Sequence, residues 1–274
     1  MLDLCAVLCT YPDPYFQQIS IMSCMIARRK SPLEINTTEA HSCSVDLRLQ
    51  ILGQVPFFAG LPQAELEKIN RLFREVGYRP NETICFAGDP AERLFVVADG
   101  RVKLMRHSLT GKNVLLDMLA TGEFFGSLST QGDAVYLDTA EAQTQTCVLS
   151  ISADDFRQIL EQNPPVVLKV LDITAVRLRA AQERVQQLSA LPVEGRIANL
   201  LLVLGKKFGQ PEVEGLLIQV PLARDDIAAM TGTTPETASR VMSQFQKDGL
   251  IRTGRQWVAI SDQVELEQIA GLDT

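Results

Sequence analysis

Five glycines, Gly77, Gly88, Gly100, Gly111 and Gly122, recur at intervals of 11, 12, 11 and 11 residues. That beat leaves room between turns only for short elements. The intervening runs, "ETICFAG", "RLFVVADG", "RVKLMRHS" and "NVLLDML", are rich in apolar and β-branched residues. Glycine at this spacing predicts short antiparallel strands joined by tight turns. The alternating run "EAQTQTCVLSIS" adds a further strand. The expectation is a closed β-roll over roughly 75–152, a double-stranded β-helix of jelly-roll type.

Helices flank this region. "QVPFFAGLPQAELEKINRLFREVGY" opens with an apolar turn and predicts a helix from about Pro62, with Leu66, Ile69, Leu72 and Phe73 on one face. "SADDFRQILEQNP" predicts a short helix with Ser152 at its N-cap and acids in its first turn. A long helix follows from Pro164. Along it Val167, Leu171, Thr174, Leu178, Ala181, Val185 and Leu188 step alternately by 4 and 3 residues, the a/d seam of a coiled coil. Lys169, Asp172, Arg177 and Glu183 lie off the seam. A helix resting on its own domain is the competing reading; a seam this narrow favours a two-stranded coiled coil between two copies.

Leu191-Pro192 marks a boundary. Beyond it, "VEGRIANLLLVLGKKFG" predicts an apolar helix closed by Gly205 or Gly209, and "GLLIQVPL" a strand. From Arg224 the chain reads as helix, tight turn, helix and hairpin. Ile227, Ala228 and Met230 give the first helix a buried face, and Gly232 supplies the turn. Thr234 is the expected N-cap of the second, with Pro235 first and Glu236 in its first turn. Val241, Phe245 and Leu250 bury that helix, which leaves Thr237, Ser239, Arg240, Gln244 and Lys247 outward. "IRTGRQWVAIS" forms a wing with its turn at Gly254. Such a helix reads bases from its first turns. Arginine bonds guanine O6 and N7 together, and glutamate accepts from cytosine N4. The plainer reading of Glu236 and Arg240, four apart, is a solvated ion pair worth a few tenths of a kcal/mol.

Bulk properties bound the rest. The 274 residues carry 33 acidic against 26 basic side chains, a net charge of -7, which argues against nonspecific coating of nucleic acid or anionic membrane. Within 224–255 five cations face four anions, so DNA recognition would depend on placement. No apolar run has bilayer-spanning length, and the N-terminus lacks the basic region of a signal peptide; a cytoplasmic protein is expected, with its six cysteines mostly reduced. Cys5, Cys9, Cys24 and Cys43 lie in a leader without periodicity, residues 1–45, and none forms a C-x-x-C pair. No Ser-His-Asp set, P-loop or metal-ligand cluster appears, and with two histidines the chain does not read as an enzyme. A β-roll module that binds a small molecule and acts on a protein partner is the alternative of another class.

Across about 50–270 the order β-roll, long helix, winged helix-turn-helix resembles the superfamily of the cyclic-AMP receptor protein and the fumarate-nitrate reduction (CRP/FNR) regulators of bacteria. "FAGDPAERLFVVADGRVKL", "GEFFG", "LPVEGRIANLLL" and "GTTPETASRVMSQFQKDGLI" carry the resemblance. It implies an α+β fold: an N-terminal β-roll sensor domain (46–162), a long dimerisation helix (163–191) and a C-terminal winged helix-turn-helix (192–274). It implies a homodimeric transcription factor with double-stranded DNA, RNA polymerase and a small-molecule effector as partners, and no membrane. The DNA-contacting set is then Arg224, Thr233, Thr234, Glu236, Thr237, Ser239 and Arg240. Glu236, Ser239 and Arg240 match the E-x-x-S-R readers of the fumarate-nitrate branch, which implies TTGA-like half-sites. Pro235 stands where the cyclic-AMP receptor has a base-contacting arginine.

The effector pocket maps to Gly126, Ser127, Leu128, Tyr136 and Leu137, with Ala181 and Gln182 from the long helix. Cyclic-nucleotide sites of the family need a G-E-L turn and an Arg-Ser/Thr pair. Here the turn reads Gly126-Ser127-Leu128, and the pair falls near Tyr136-Leu137. With no cation expected beside it, a buried phosphate would be uncompensated, so cyclic AMP is not the expected effector. An iron–sulfur cluster on Cys5, Cys9, Cys24 and Cys43 is the redox alternative, although their spacing departs from that of the fumarate-nitrate regulator.

Overall fold

The computed structural model describes residues 44–107, 113–128 and 135–272. Among these residues eight strands build the roll: β1 (Arg74–Tyr78), β2 (Thr83–Cys85), β3 (Arg93–Asp99), β4 (Val102–His107), β5 (Asn113–Leu119), β6 (Phe124–Gly126), β7 (Thr139–Ala142) and β8 (Thr146–Ser152). They form two antiparallel sheets, ordered β1-β8-β3-β6 and β2-β7-β4-β5. Phe95, Val97, Val102, Leu119, Phe125 and Val148 fill the space between them. Gly88, Gly100 and Gly122 take φ of 94°, 87° and 85°, and at Gly100 a Cβ would also lie 2.4 Å from the Gln145 carbonyl oxygen. Gly77 departs from the expected beat: it lies inside β1, paired with Cys147, and not in a turn. Gly111 falls outside the described residues.

Helices α1 (Val45–Gln54), α2 (Gln63–Asn70) and α3 (Ala153–Gln162) cover the outer face of the first sheet. Phe57 is fully buried, edge-on to Phe58, Phe124 and Phe156. Such aromatic pairs add about 0.5–1.5 kcal/mol each beyond burial. Helix α1 was not legible as a helix; its amphipathic face is weak, and Ser44 caps it by accepting from Leu47 N–H at 3.2 Å. Ser152 does cap α3, accepting from Asp155 N–H at 3.1 Å.

Helix α4 (Pro164–Ala190) then runs unbroken to Leu191. It leads to α5 (Val193–Phe208), β9 (Gly209–Glu212), β10 (Gly215–Ile218), α6 (Arg224–Thr231), α7 (Pro235–Lys247), β11 (Ile251–Gly254), β12 (Trp257–Ile260) and α8 (Gln263–Ile269). Gly209 ends α5; Gly205 lies inside it, where a Cβ would come within 3.0 Å of Ile260 and 3.1 Å of Leu216. The four strands form one antiparallel sheet, ordered β11-β12-β10-β9. Two buried side chains of β5, Leu115 and Met118, join the core built on Ile197, Leu201, Ile227 and Met242. The roll is therefore packed onto α6.

Candidate nucleic-acid interface and ligand cavity

Helix α7 is set by local chemistry. Gly232 closes α6 in the left-handed region (φ 64°), where its αL geometry costs no Cβ clash. Thr234 caps α7, its Oγ1 accepting from Thr237 N–H at 3.2 Å, and Pro235 opens it. Ala238, Val241, Met242 and Phe245 turn inward. Glu236, Ser239, Arg240, Gln244 and Lys247 are exposed, while Thr233 and Thr237 are half-buried. Among the described residues no ion pair joins Glu236 to Arg240, so both charges remain available to a partner. The Glu236 N–H and the Thr234 hydroxyl hold the Glu236 carboxyl below the usual carboxylate range. At the end of α7, Gln244 donates to Asp248 at 2.8 and 3.0 Å. Arg224 opens α6 half-buried, and burial lowers its guanidinium pKa. The wing turns through Arg255 and Gln256, with the left-handed φ (64°) on Gln256 and not on Gly254. Gly254 is needed for space: a Cβ there would meet the Trp257 indole at 2.1 Å.

A second feature lies in the roll, a cavity of about 460 Å³ bordered by β2, β4, β6 and the Val135–Asp138 segment. Gly126, Ser127, Leu128, Tyr136 and Leu137 line it together, joined by Cys85, Leu104, Phe125, Val135 and Asp138. Two polar side chains of the wall, Tyr136 and Asp138, are engaged within the protein. The Tyr136 hydroxyl accepts from Arg93 N–H at 3.1 Å. Asp138 accepts from Arg106 Nη2 and Nε at 2.6 and 2.9 Å. Burial pushes the Cys85 thiol up to about 11, although a hydrogen bond with the Ala140 backbone opposes this.

The expectation of no cation beside the pocket is corrected: Arg177 of α4 reaches its wall. Its guanidinium lies 3.9 Å from the Phe124 ring centroid and donates to the Phe124 carbonyl at 2.9 Å. Burial lowers its pKa, countered by Asp117 and Glu123. Ala181 and Gln182 are exposed on α4 and do not border the cavity.

Two family models match this chain: a cyclic nucleotide-binding domain over residues 75–163 and a Crp-like helix-turn-helix domain over 195–269. A cyclic AMP receptor protein of Thermus thermophilus is 30% identical over 215 residues, covering 78% of this chain and 96% of that protein. The chain belongs to the CRP/FNR family of transcriptional regulators. A CRP-like cAMP-activated global transcriptional regulator of Mycobacterium tuberculosis is 27% identical over 221 residues, covering 81% of this chain and 99% of its own. Among solved structures, a CRP-family transcriptional regulator of Thermus thermophilus superposes with a TM-score of 0.61 at 25% identity, covering 71% of this chain and 96% of that one.

Within this CRP/FNR frame α6 and α7 are the helix-turn-helix, and the cavity falls inside the cyclic nucleotide-binding match except for Arg177, which lies beyond it. The seam positions of α4 that are large and apolar stand open: Val167 (43% exposed), Leu171 (65%), Leu178 (60%), Val185 (64%) and Leu188 (51%). Thr174 and Ala181 are exposed beside them. Cys5, Cys9, Cys24 and Cys43 lie outside the described residues; Cys85 and Cys147 are buried and not joined in a disulfide. Among the described residues no helix is long and apolar enough to cross a membrane.

Sequence reading missed Cys85, Leu104, Phe125, Val135 and Asp138 as wall residues, and Lys103 as a contact to α6. One signal was present. Alternation along β4 sends Val102 and Leu104 to the roll interior and leaves Lys103 and Met105 for the other face.

Proposed function

We propose that this protein works as a homodimer that places α7 of each copy in the major groove of a two-fold DNA site with TTGA-like half-sites. Glu236, Ser239 and Arg240 are the readers, and Arg224, Thr233, Thr234 and Thr237 hold phosphates or groove edges. The observation that carries this reading is a capped helix of the Crp-like match with Glu236, Ser239 and Arg240 exposed on its first two turns. The open apolar seam of α4 supports pairing of two copies. A two-fold dimer then sets the half-sites roughly 34 Å apart, one helical turn. Residues 46–162 serve as sensor, 163–191 as dimerisation helix and 192–274 as reader, acting in concert with RNA polymerase. The sensed signal is not cyclic AMP, because residues 126–139 contain no lysine or arginine for its phosphate and Arg177 is held by Phe124.

A gel shift with a TTGA-N6-TCAA duplex tests the reading. A bidentate arginine–guanine contact is worth about 1–3 kcal/mol, so Arg240→Ala should weaken binding about 5- to 150-fold and relax preference at the guanine. Binding by Arg240→Ala as tight as wild type sinks the assignment of α7 as reader.

A further inference from the structure

The cavity in the roll is large enough for a small molecule, within the range of about 300–1,000 Å³ typical of such sites, yet among the described residues its side chains are mostly hydrocarbon or already engaged. Five of its side chains, Leu104, Phe125, Leu128, Val135 and Leu137, are hydrocarbon. The Tyr136 hydroxyl is engaged with the Arg93 backbone, and Asp138 is held twice by Arg106. Arg177 is the one cation on the wall among the described residues, and it is committed to the carbonyl and ring of Phe124. An anionic ligand would have to pull Arg177 off that ring and also sit near Asp138. An uncharged ligand disturbs neither. Leu137 and Val135, 71% and 48% exposed, carry the apolar character out to the surface. Open hydrocarbon at the wall of a concave site marks a place where apolar area is buried on binding.

We infer that this cavity takes an uncharged, predominantly apolar small molecule, bound by burial of its hydrocarbon and not by a phosphate clamp. The inference rests on the proposed sensor role of the roll. It departs from cyclic-nucleotide recognition at the same location in the fold. Ligand entry would press on Leu104, whose neighbours on β4, Lys103 and Met105, contact the winged domain.

N-phenyl-1-naphthylamine, an uncharged apolar fluorophore, tests the ligand class when titrated into the full chain. The expected result is a saturable rise in emission that millimolar cyclic AMP does not reverse. Leu137→Asp and Val135→Asp should each weaken the probe at least tenfold; both side chains already face solvent, so neither change opens the core. A second cavity, of about 570 Å³, lies against α4 and is bordered by Val176. Val176→Lys should therefore leave the titration unchanged. Three results overturn the inference: binding insensitive to both aspartates, loss of binding in Val176→Lys alone, or saturable binding of a fluorescent cyclic AMP analogue that displaces the probe. A gel shift in the presence of the probe separates the two readings. Probe bound at the cavity with unchanged DNA affinity keeps the ligand class and removes the sensor role. DNA affinity that responds to cyclic AMP keeps the sensor role and removes the ligand class.

Discussion

At the residue scale, Thr234 has two separable duties. Its hydroxyl satisfies the Thr237 N–H and so starts α7, and in the proposed complex the same helix end meets DNA phosphates. An N-cap hydroxyl is worth about 1 kcal/mol, so Thr234→Ala should lower the stability of the fold by about that much in a chemical melt. Aspartate caps as well as threonine, and Thr234→Asp should melt within a few tenths of a kcal/mol of wild type. It also sets a second carboxylate beside Glu236, which the cap already holds ionised below the usual carboxylate range. Phosphates would then meet two negative groups, and the gel shift should weaken while stability holds. Equal DNA affinity in Thr234→Asp means that this end of α7 does not face phosphate. The cap was legible before any coordinates because its chemistry is local: Gly232, Thr234 and Pro235 act on neighbours one to three residues away. Arg177 was not legible as a wall residue. Its partner Phe124 is 53 positions distant, and no local pattern encodes the fold that brings them together.

At the scale of elements, α4 shows what periodicity conveys. Its alternating steps of 4 and 3 put five large apolar side chains on one open face, and a helix cannot leave such a stripe in water without loss. Burying one leucine side chain contributes about 1.5–3 kcal/mol. Two copies that pair their seams, as proposed, would bury these positions on both sides. Leu178 sits near the middle of the helix and is 60% exposed, so a lysine there costs the isolated chain little. In a coiled coil it places two ammonium groups in the seam. Leu178→Lys should elute as a monomer of unchanged helix content in size exclusion with light scattering and circular dichroism. A dimer of wild-type stability would show that α4 is not the pairing element. The β-roll was legible through its glycine beat, yet β1, β6 and β7 were not. They are short, and β6 and β7 are edge-flanked by segments that carry no period of their own; their pairing with β8, β3 and β4 is a tertiary fact.

For the whole molecule the β4–β5 hairpin is the crossing point. One face of β4 gives Leu104 to the cavity. The other gives Lys103, whose ammonium lies 2.7 Å from Asp226 at the start of α6. A bulge leaves Leu116 unpaired between Asp117 and Leu115, and its carbonyl accepts from Arg184 of α4. Ligand cavity, long helix and winged domain thus meet within one hairpin. Asp226 does double work there, because its other oxygen accepts from Ala223 N–H at 3.1 Å and caps α6. Asn at this position keeps an acceptor for Ala223 but loses the charge. The Lys103 and Asp226 side chains are 18% and 15% exposed, so the remaining ammonium would lack a partner in a site that water reaches poorly. A charge-assisted bond of this kind is worth about 1.5–3 kcal/mol. Asp226→Asn should therefore loosen the packing of the roll on α6 without unfolding either part. Hydrogen exchange should quicken about 10- to 150-fold at β4, β5 and α6, with the α7 amides protected as before. The double variant Lys103→Met, Asp226→Asn should recover part of the protection, since it removes the stranded charge and adds hydrocarbon beside Leu115 and Met118. If exchange at β5 and α6 is the same in wild type and Asp226→Asn, the ion pair does not hold the two domains together.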